Sequence, residues 1–494
     1  DDAKADQIVN LPGLTEPEGG LPFRQFSGHL AISDSKNIFY WFTESENDPA
    51  SDPVVFWTNG GPGCSGLIGF LGEQGPFRVK SGGSELEMND YAWNKVSNTV
   101  YIEQPCGVGF SYSTGDISED YSADDDSASQ DNLQVILKFL EKFPNLKDNQ
   151  VFLTAESYGG HYLPTWAHVI VDYNTEQAKN GDETINFGGF AVGNPYTDPK
   201  ENALGMFGTF YGHQLVPRPL WTEYEKGCLP LYDISYSNLL DDDSGDVQQC
   251  MAMEGQMMEF VGGLDPYALD YATCLSPNAE LAKAGVGRGQ RAQLLQSVME
   301  GRMAPYVQRY YQKSMRSELR EIDSSSEEER LMLAYDQCEN TWMTEYLNQP
   351  EVKAALHVPD DIEWEECSYQ LNYDRSDMAD PMEPHYKYLI DSDADIRIWV
   401  YSGDDDSVCG TMGTQMWVYD LGYEITRPWQ EWKVNGQVAG FEVLFDGLSF
   451  VTVHDAGHEV PAFKPEESLA LFKAFLAGES LADSSTWGMP MPDN

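Results

Sequence analysis

The most informative stretch of the chain is VFLTAESYGG, residues 151–160. Residues 151–153 form an apolar run that predicts a strand, and the segment after the two glycines predicts a helix. A serine between a strand and a helix, followed by Gly159, is typical of a sharp turn that exposes the hydroxyl at a helix N-terminus. Ser157 is therefore the candidate nucleophile, although an ordinary Ser-Tyr-Gly-Gly turn fits the same residues.

Further runs of apolar, β-branched and aromatic residues predict strands before and after this turn along the chain. They cover residues 26–32, 37–45, 54–58, 98–103, 187–192, 396–402 and 448–453, and the strand before Ser157 covers 150–155. Residues 122–143 have helical spacing, with Leu133, Ile136 and Leu140 on one face, and residues 465–477 predict a second helix. Alternating strands and helices predict a mostly parallel sheet covered by helices on both faces.

The character of the chain changes between residues 196 and 337. Strand-like runs are absent there, and methionine, leucine, tyrosine and acidic residues dominate. This composition predicts a mainly helical insertion, here called the predicted lid, over residues 196–337. The expected organisation is an α/β core in two parts, residues 1–195 and 338–494, interrupted by the lid.

A serine nucleophile needs a base and an orienting carboxylate. His458 follows the predicted strand 448–453 in a glycine-containing loop and is the candidate base. The predicted strand 396–402 leads into three consecutive aspartates, residues 404–406, which supply a carboxylate. The order Ser, Asp, His along the chain is that of the α/β-hydrolase fold.

Other roles fit the same residues. The three aspartates could form a solvated acidic turn or a weak calcium site. His454 and His458 are four residues apart, as metal ligands on a helix are, but Gly457 and the preceding strand disfavour a helix here. The sequence predicts no metal site and no cofactor.

A second glycine-rich loop, NGGPGC at residues 59–64, follows the predicted strand 54–58. Its backbone N–H groups could bind an anion or a developing oxyanion. It does not match a phosphate-binding loop, because no lysine follows. A purely structural glycine turn remains an alternative.

The charge of the chain excludes several classes of partner. The chain carries 81 acidic and 30 basic residues, for a net charge of -51. Such a chain repels phosphate backbones and anionic membranes, so we expect no nucleic-acid partner. No apolar run approaches the roughly 18 residues of a transmembrane helix, so we expect no membrane span. Protonation would relieve the self-repulsion, which makes an acidic compartment plausible, but an acidic cytoplasmic protein or a salty habitat fits the same charge.

The beginning of the chain and its cysteines bear on where the protein resides. The chain starts at Asp1 without a signal-peptide pattern, which suggests a mature form whose targeting segment has been removed. Eight cysteines occur without a Cys-x-x-Cys pair, which disfavours a zinc ribbon or a thioredoxin-like site. Their even number permits disulfides in an oxidising compartment.

Six stretches together resemble the serine carboxypeptidase family. They are WTNGGPGCSG (57–66), EQPCGVGFSYS (103–113), ESYGGHYLP (156–164), YLNQPEVKAALHV (346–358), SGDDDSVC (402–409) and HDAGHEVP (454–461). The resemblance implies an α/β-hydrolase fold and an enzyme that releases C-terminal residues from peptides and proteins. It also implies a serine-type mechanism that needs no cofactor.

The resemblance assigns catalytic roles to individual residues. Ser157 would be the nucleophile and His458 the general base and acid. The acidic member would be Asp406, and not either of the two aspartates before it. The backbone N–H groups of Gly61 and Tyr158 would hold the oxyanion.

The resemblance also implies how the substrate is bound. The free carboxylate of the substrate would be bound by Asn59, the backbone of Gly60, Glu73 and Glu156. At least one of these acids should hold a proton, because closely spaced carboxylates cannot all ionise. Glu459 would lie beside the side chain of the departing residue, where a carboxylate would favour Lys or Arg in addition to apolar residues.

The resemblance further predicts a disulfide between Cys64 and Cys338. It places other disulfides in the lid, where an odd number of cysteines leaves one unpaired or paired outside the lid: Cys228, Cys250 and Cys274. Cys409 is expected to be a free thiol near the site.

These inferences predict a secreted, vacuolar or lysosomal enzyme, a monomer or homodimer, that acts on peptide and protein C-termini at acidic pH. Two alternatives remain. Plant acyltransferases resemble the same family, but they commonly carry Asp before the nucleophile and lack the asparagine found here at Asn59. A catalytically silent protein that binds and protects other enzymes is the second alternative, although all three triad residues are present.

Overall fold

The computed structural model describes residues 2–233, 245–273 and 338–483. Its strands, in chain order, are β1 (Gln25–Ala31), β2 (Lys36–Thr43), β3 (Val54–Thr58), β4 (Phe77–Val79), β5 (Leu86–Met88), β6 (Asn98–Ile102), β7 (Tyr112–Ser113), β8 (Ser122–Ala123), β9 (Val151–Glu156), β10 (Phe187–Gly193), β11 (Asn372–Tyr373), β12 (Arg397–Gly403), β13 (Ile425–Val434), β14 (Gln437–Phe445) and β15 (Leu448–Val453).

The α-helices of the described residues are numbered in the same way. They are α1 (Asp2–Ala5), α2 (Ile117–Asp120), α3 (Asp125–Lys142), α4 (Gly159–Asn180), α5 (Pro199–Gly212), α6 (Arg218–Gly227), α7 (Gly245–Val261), α8 (Glu339–Leu347), α9 (Pro350–Ala355), α10 (Glu383–Asp391), α11 (Thr411–Asp420), α12 (Val460–Phe463) and α13 (Pro465–Ala477). A short π-helix also spans Gly69–Glu73.

The central sheet has eleven strands in the order β1-β2-β6-β3-β9-β10-β12-β15-β14-β13, with β7 paired to β2. The six strands from β6 to β15 run parallel to one another, and the strands toward both edges are antiparallel. This mostly parallel sheet confirms the predicted α/β-hydrolase class. Every predicted strand is present within two residues of its predicted bounds.

The hairpin of β13 and β14 was not among the predicted strands. Much of β13 is exposed at the edge of the sheet, so its residues do not show the apolar run of a buried strand. A sequence signal was nevertheless available at Asn435 and Gly436, which both have positive φ, at 49° and 75°. An Asn-Gly pair with this backbone is typical of a tight hairpin turn.

Alternate residues of the central strands face two separate cores. Trp57 packs into one and its neighbour Phe56 into the other, as the two-residue repeat of a strand requires. The first core is covered by α8, α9 and α13, and the second by α3, α4, α10 and α11. Burying an aromatic side chain such as Phe139 of α3 stabilises the fold by about 1.5–3 kcal/mol.

The predicted lid enters the core between β10 and β12. Its described part is helical and comprises α5, α6 and α7, and a disulfide joins Cys228 to Cys250. Residues 274–337, which include Cys274, lie outside the described residues. The domain boundaries at 195/196 and 337/338 therefore stay a prediction.

The predicted disulfide between Cys64 and Cys338 is wrong. Cys64 is bonded to Cys367 instead, and Cys338 belongs to a different disulfide. The reason is a short antiparallel bridge between the two segments that contain Cys64 and Cys367. The Ser65 N–H donates to the Glu366 carbonyl at 2.8 Å, and the Ser368 N–H donates to the Gly63 carbonyl at 2.9 Å.

Among the described residues, no helix combines the length and the apolar character needed to cross a bilayer.

A carboxyl group is buried inside the fold at Glu103. It accepts hydrogen bonds from the Phe110 N–H at 2.6 Å, from the Trp364 indole at 2.8 Å and from the Ser65 hydroxyl. Burial nevertheless raises its pKa from 4.5 to about 7. The folded protein therefore holds this proton at pH values where the unfolded chain has released it.

We predict that the protein is more stable at about pH 5 than at about pH 8. Burial also raises the pKa values of Glu383 and Asp405 to about 7, so these groups add to the effect of Glu103. The stabilisation is fully present below the unfolded-state pKa and is lost as pH rises through 7. For Glu103 alone the change is on the order of 3 kcal/mol.

Urea unfolding midpoints at the two pH values test this prediction. The difference should persist in about 0.5 M NaCl, because salt screens surface repulsion far more than it affects buried groups. Equal midpoints in high salt would show that these buried carboxyls do not control stability.

Candidate active site

The turn that carries Ser157 is strained and closely packed. β9 ends at Glu156, Ser157 has a φ of 60°, and α4 begins at Gly159. A side chain at Gly159 would place its Cβ 2.5 Å from the Cβ of Ala155, so only glycine allows the helix to approach the strand. A left-handed backbone at a serine is uncommon and clusters at functional sites.

Asp406 and His458 meet beyond the ends of β12 and β15. His458 Nδ1 lies 2.7 Å from Asp406 Oδ2, and both side chains are buried. The carboxylate also accepts from Asn194 Nδ2 at 2.9 Å and from the N–H groups of Val408 and Cys409 at 2.7 and 3.1 Å. Because the carboxylate accepts, Nδ1 carries the imidazole hydrogen and Nε2 is left as the acceptor.

The surroundings of His458 raise its pKa above the usual value. Burial alone lowers the pKa, but the charge and hydrogen bond of Asp406 and the charges of Glu459 and Glu73 together outweigh burial. The predicted lid contributes a further contact, since the ring of Tyr267 packs edge-on against His458 at 4.9 Å. The carbonyl of Tyr267 also accepts from the His458 backbone N–H at 2.8 Å.

The two aspartates before Asp406 have different partners. Asp404 contacts the partly exposed His454 at 2.8 Å, and Asp405 accepts from the backbone of Asp270 at 3.1 Å. Of the three consecutive aspartates, Asp406 is thus the one that contacts His458.

The NGGPG loop lies against the Ser157 turn. A side chain at Gly60 would place its Cβ 2.4 Å from the backbone nitrogen of Tyr158, so this contact requires glycine. Gly61 has a φ of 123°, which also favours glycine. The two backbone segments that carry Gly61 and Tyr158 are therefore adjacent.

Ser157 and His458 line one pocket together. Sequence reasoning had singled out several of its other lining residues: Asn59, Gly60, Gly61, Glu156 and Glu459. It missed Ile68, Tyr267, Glu366 and the disulfide partner Cys367, which line the same pocket. Tyr267, Glu366 and Cys367 carry no motif because segments far along the chain bring them to the site, and Ile68 lies just beyond the NGGPGC loop.

Two buried acids and an amide form a cluster at the base of this pocket. Asn59 Nδ2 donates to Glu73 Oε1 at 2.9 Å and to Glu156 Oε1 at 2.8 Å. Asn59 Oδ1 accepts from the Trp57 indole at 2.7 Å and from the Gly69 N–H at 3.1 Å. The amide is fully hydrogen-bonded on both sides, so its orientation is fixed.

Both acids of the cluster have raised pKa values. Burial raises the pKa of Glu73 to about 7, with a further increase from the charge of Glu459. Burial, followed by the charges of Glu73 and Glu459, raises the pKa of Glu156 well above its usual value. The cluster therefore holds a proton over much of the acidic range.

Glu459 and Cys409 complete the surroundings of the pocket. Glu459 follows His458 directly and is only 6% exposed. Cys409 is a free, buried thiol beside Asp406 and His458, as predicted. Burial and the charge of Asp406 raise the pKa of this thiol, which keeps it protonated.

Comparison with known proteins identifies relatives over nearly the whole chain. A family model described as serine carboxypeptidase matches residues 12–478. The lysosomal protective protein of Mus musculus is 35% identical over 486 residues, which cover 96% of this chain and 94% of that protein. Serine carboxypeptidase-like 25 of Arabidopsis thaliana is 34% identical over 488 residues, covering 97% and 93%.

A solved structure supports the fold in the same way. The prohormone-processing carboxypeptidase Kex1Δp of Saccharomyces cerevisiae superposes with a TM-score of 0.72 at 20% identity and covers 98% of both chains. At 20% identity, this similarity shows only that the two proteins share a fold. The family model and the curated relatives, which span almost the full chain, show that this chain belongs to the serine carboxypeptidase family and is a serine-type carboxypeptidase.

Proposed function

We propose that this carboxypeptidase hydrolyses the last peptide bond of its substrates through an acyl-enzyme on Ser157. The observation that carries the proposal is the buried contact between Asn59 and Glu156 in the same pocket as Ser157 and His458. A group that binds a carboxylate beside a serine nucleophile selects a peptide by its free C-terminus.

In the first half-reaction, Ser157 Oγ attacks the carbonyl carbon of the last peptide bond while His458 Nε2 takes the hydroxyl proton. The new C–O bond moves an electron pair onto the carbonyl oxygen, where the N–H groups of Gly61 and Tyr158 stabilise it. Collapse of this intermediate breaks the C–N bond. His458 gives its proton to the departing amine, and the C-terminal amino acid leaves.

In the second half-reaction, water replaces the amine. His458 takes a proton from the water, whose oxygen attacks the acyl carbon, and Ser157 Oγ leaves and regains the proton. One water is consumed and the shortened peptide is released. Asp406 holds the Nδ1–H hydrogen bond throughout and stabilises the imidazolium that forms in each half-reaction.

The terminal carboxylate of the substrate would add a third acid to the cluster of Glu73 and Glu156. Three closely spaced carboxyl groups cannot all ionise, so the proton on Glu156 forms a hydrogen bond to the substrate. Asn59 and the Gly60 backbone provide the remaining donors. Raising the pH removes this proton, so peptide hydrolysis is favoured at acidic pH.

The cellular location and the partners of the enzyme can also be proposed. We propose a secreted, vacuolar or lysosomal location, supported by disulfides such as Cys64–Cys367 and Cys228–Cys250 and by the similarity to a protein named lysosomal protective protein. The partners are peptide and protein C-termini, and the enzyme is a monomer or homodimer. The net charge of -51 supports the absence of nucleic-acid and membrane partners.

The proposal predicts that a peptide with a free C-terminus is cleaved and that its C-terminal amide is cleaved far more slowly. The amide leaves the buried cluster without a carboxylate partner, at a cost of about 1–3 kcal/mol for each unpaired group. Released amino acids are measured at about pH 5 for both peptides. Equal rates would indicate an endopeptidase or an esterase.

Variants of the triad complete this test. Ser157→Ala and Asp406→Ala should each lower the rate by roughly 10⁴-fold, since triad residues act as a unit. Asp404→Ala is the matched control, because that carboxylate contacts His454 and not His458. An equal loss for Asp404→Ala and Asp406→Ala would show that the acidic member has been misassigned.

We predict that Glu156→Gln shifts the pH profile of peptide hydrolysis toward neutral pH. A Gln amide donates a hydrogen bond at any pH, whereas Glu156 donates only when protonated. The measurement is the ratio of kcat/KM at about pH 5 to that at about pH 7.5. Glu383→Gln is the control, because Glu383 also has a pKa of about 7 but does not line the pocket. A ratio for Glu156→Gln equal to that of the wild type contradicts the proton-donor role.

We further predict that C-terminal Lys and Arg are released at rates comparable to Leu and Phe, because Glu459 lies in the pocket. A partly desolvated ion pair contributes about 1–3 kcal/mol. Glu459→Met should therefore lower kcat/KM for basic residues about tenfold or more and leave apolar residues nearly unchanged. Asp404→Asn controls for the loss of one negative charge. A parallel decrease for both classes would mean that Glu459 positions His458 and does not select the substrate.

A further inference from the structure

A buried polar network lies behind the Ser157 turn and is here called the Asp125 network. Its members are Asp125, Tyr158, His161 and Tyr373. Tyr158 Oη and Tyr373 Oη donate to the same carboxylate oxygen, Asp125 Oδ1, at 3.0 and 2.6 Å. His161 Nδ1 lies 2.8 Å from the other oxygen, Oδ2. None of these side chains lines the catalytic pocket.

Asp125 is held firmly in place. It lies in the first turn of α3, directly after a capping box in which Asp124 accepts from the Ser127 N–H at 2.7 Å. Its own N–H donates to Asp377 at 2.8 Å. Burial tends to raise the pKa of Asp125, but the hydrogen bonds and charge of its partners outweigh burial and leave the pKa below its usual value. The network is therefore built around an ionised carboxylate.

The network contacts the backbone directly after the nucleophile. Tyr158 follows Ser157, and its ring stacks on His161 in the first turn of α4 at 4.7 Å. His161 stacks in turn on Tyr196 at 5.5 Å, and the Tyr196 N–H donates to the Ser157 carbonyl at 2.8 Å. An ionised carboxylate behind the turn thus fixes the backbone that carries the nucleophile.

Packing alone does not explain this arrangement. Apolar side chains of similar volume usually stabilise a core as well as a buried charge does. A charged hydrogen bond, however, fixes the direction of its donor more tightly than packing does. Because the donor here is the side chain of Tyr158, the hydrogen bond constrains the residue whose backbone N–H faces the oxyanion in the proposed mechanism.

We infer that Asp125 is a positioning residue for the oxyanion hole, acting through the phenol of Tyr158. This inference rests on the proposed function, since it assumes that the Tyr158 N–H stabilises the oxyanion. An oxyanion donor must be aligned closely with the developing charge, and a small misplacement lowers the rate by one to two orders of magnitude. Binding of the ground-state substrate does not depend on this alignment.

The test variant is Tyr158→Phe, which removes one hydroxyl and keeps the ring. Tyr373→Phe is the matched control, because it removes a hydroxyl that donates to the same oxygen of Asp125 but belongs to a residue outside the Ser157 turn. Active sites are counted by fluorophosphonate titration, so that misfolded molecules are not included in the enzyme concentration. Two ligands are compared: a peptide aldehyde, which forms a tetrahedral oxyanion adduct with Ser157, and a carboxylate product, which does not.

For Tyr158→Phe we expect kcat and aldehyde affinity to fall about tenfold or more, while KM and product affinity stay within about threefold of the wild type. Tyr373→Phe should keep all four values within about threefold. Asp125→Asn, where it folds, should reproduce the pattern of Tyr158→Phe.

Two results would overturn the inference. One is an aldehyde affinity for Tyr158→Phe that equals that of the wild type. The other is a parallel loss of aldehyde and product affinity, which would indicate a general structural disturbance. Failure of the proposed function would be distinguishable from failure of this inference. In that case the wild-type enzyme itself would release no C-terminal residue and form no aldehyde adduct.

Discussion

The site depends on one hydrogen-bonded contact, in which the amide of Asn59 donates to Glu73 and Glu156 at once. Asn59 belongs to the loop after β3, and Glu156 is the last residue of β9, the strand next to β3 in the sheet. The contact joins the NGGPG loop to the turn that carries Ser157. It thereby positions three parts of the site relative to one another: Ser157, the two proposed oxyanion donors and the cluster proposed to bind the substrate carboxylate.

This contact also explains why so many acids are tolerated near the site. A buried carboxyl group is costly when ionised, and the charge of Glu73 adds to burial in raising the pKa of Glu156. Holding a proton between them removes much of that cost and provides a hydrogen-bond donor for an incoming carboxylate. In the proposed function, the protonated state of this buried pair is therefore also the state in which a C-terminus binds best.

Much of the site could be predicted from sequence because its parts follow strands. Parallel strands bring their carboxyl ends to one edge of a sheet, so Ser157, Asp406 and His458, each just beyond a strand, were expected to lie close together. The glycines at 60 and 159 are required by approaches that a Cβ would block. These are local signals, and the order of the strands in the sheet brings the signalled residues together.

The features that were missed have no local signal. Cys64 pairs with Cys367 and not Cys338 because a short backbone bridge aligns segments about 300 residues apart. Glu366 reaches the pocket through that same bridge. The hydrogen bonds of Asp125 depend on three segments that meet only in the folded chain. The resemblance to a family predicts which residues matter, but it does not determine such pairings.

The central claim is that the acidic cluster takes part in binding a C-terminus by holding a proton. Calorimetry of peptide binding to Ser157→Ala at about pH 7, in buffers of different ionisation enthalpy, measures the protons exchanged on binding. A peptide with a free C-terminus should take up roughly half a proton, because Glu73 is already about half protonated at this pH and the bound carboxylate raises its pKa further. Its amide should take up none. No uptake, or a release of protons, by the free peptide would contradict the account.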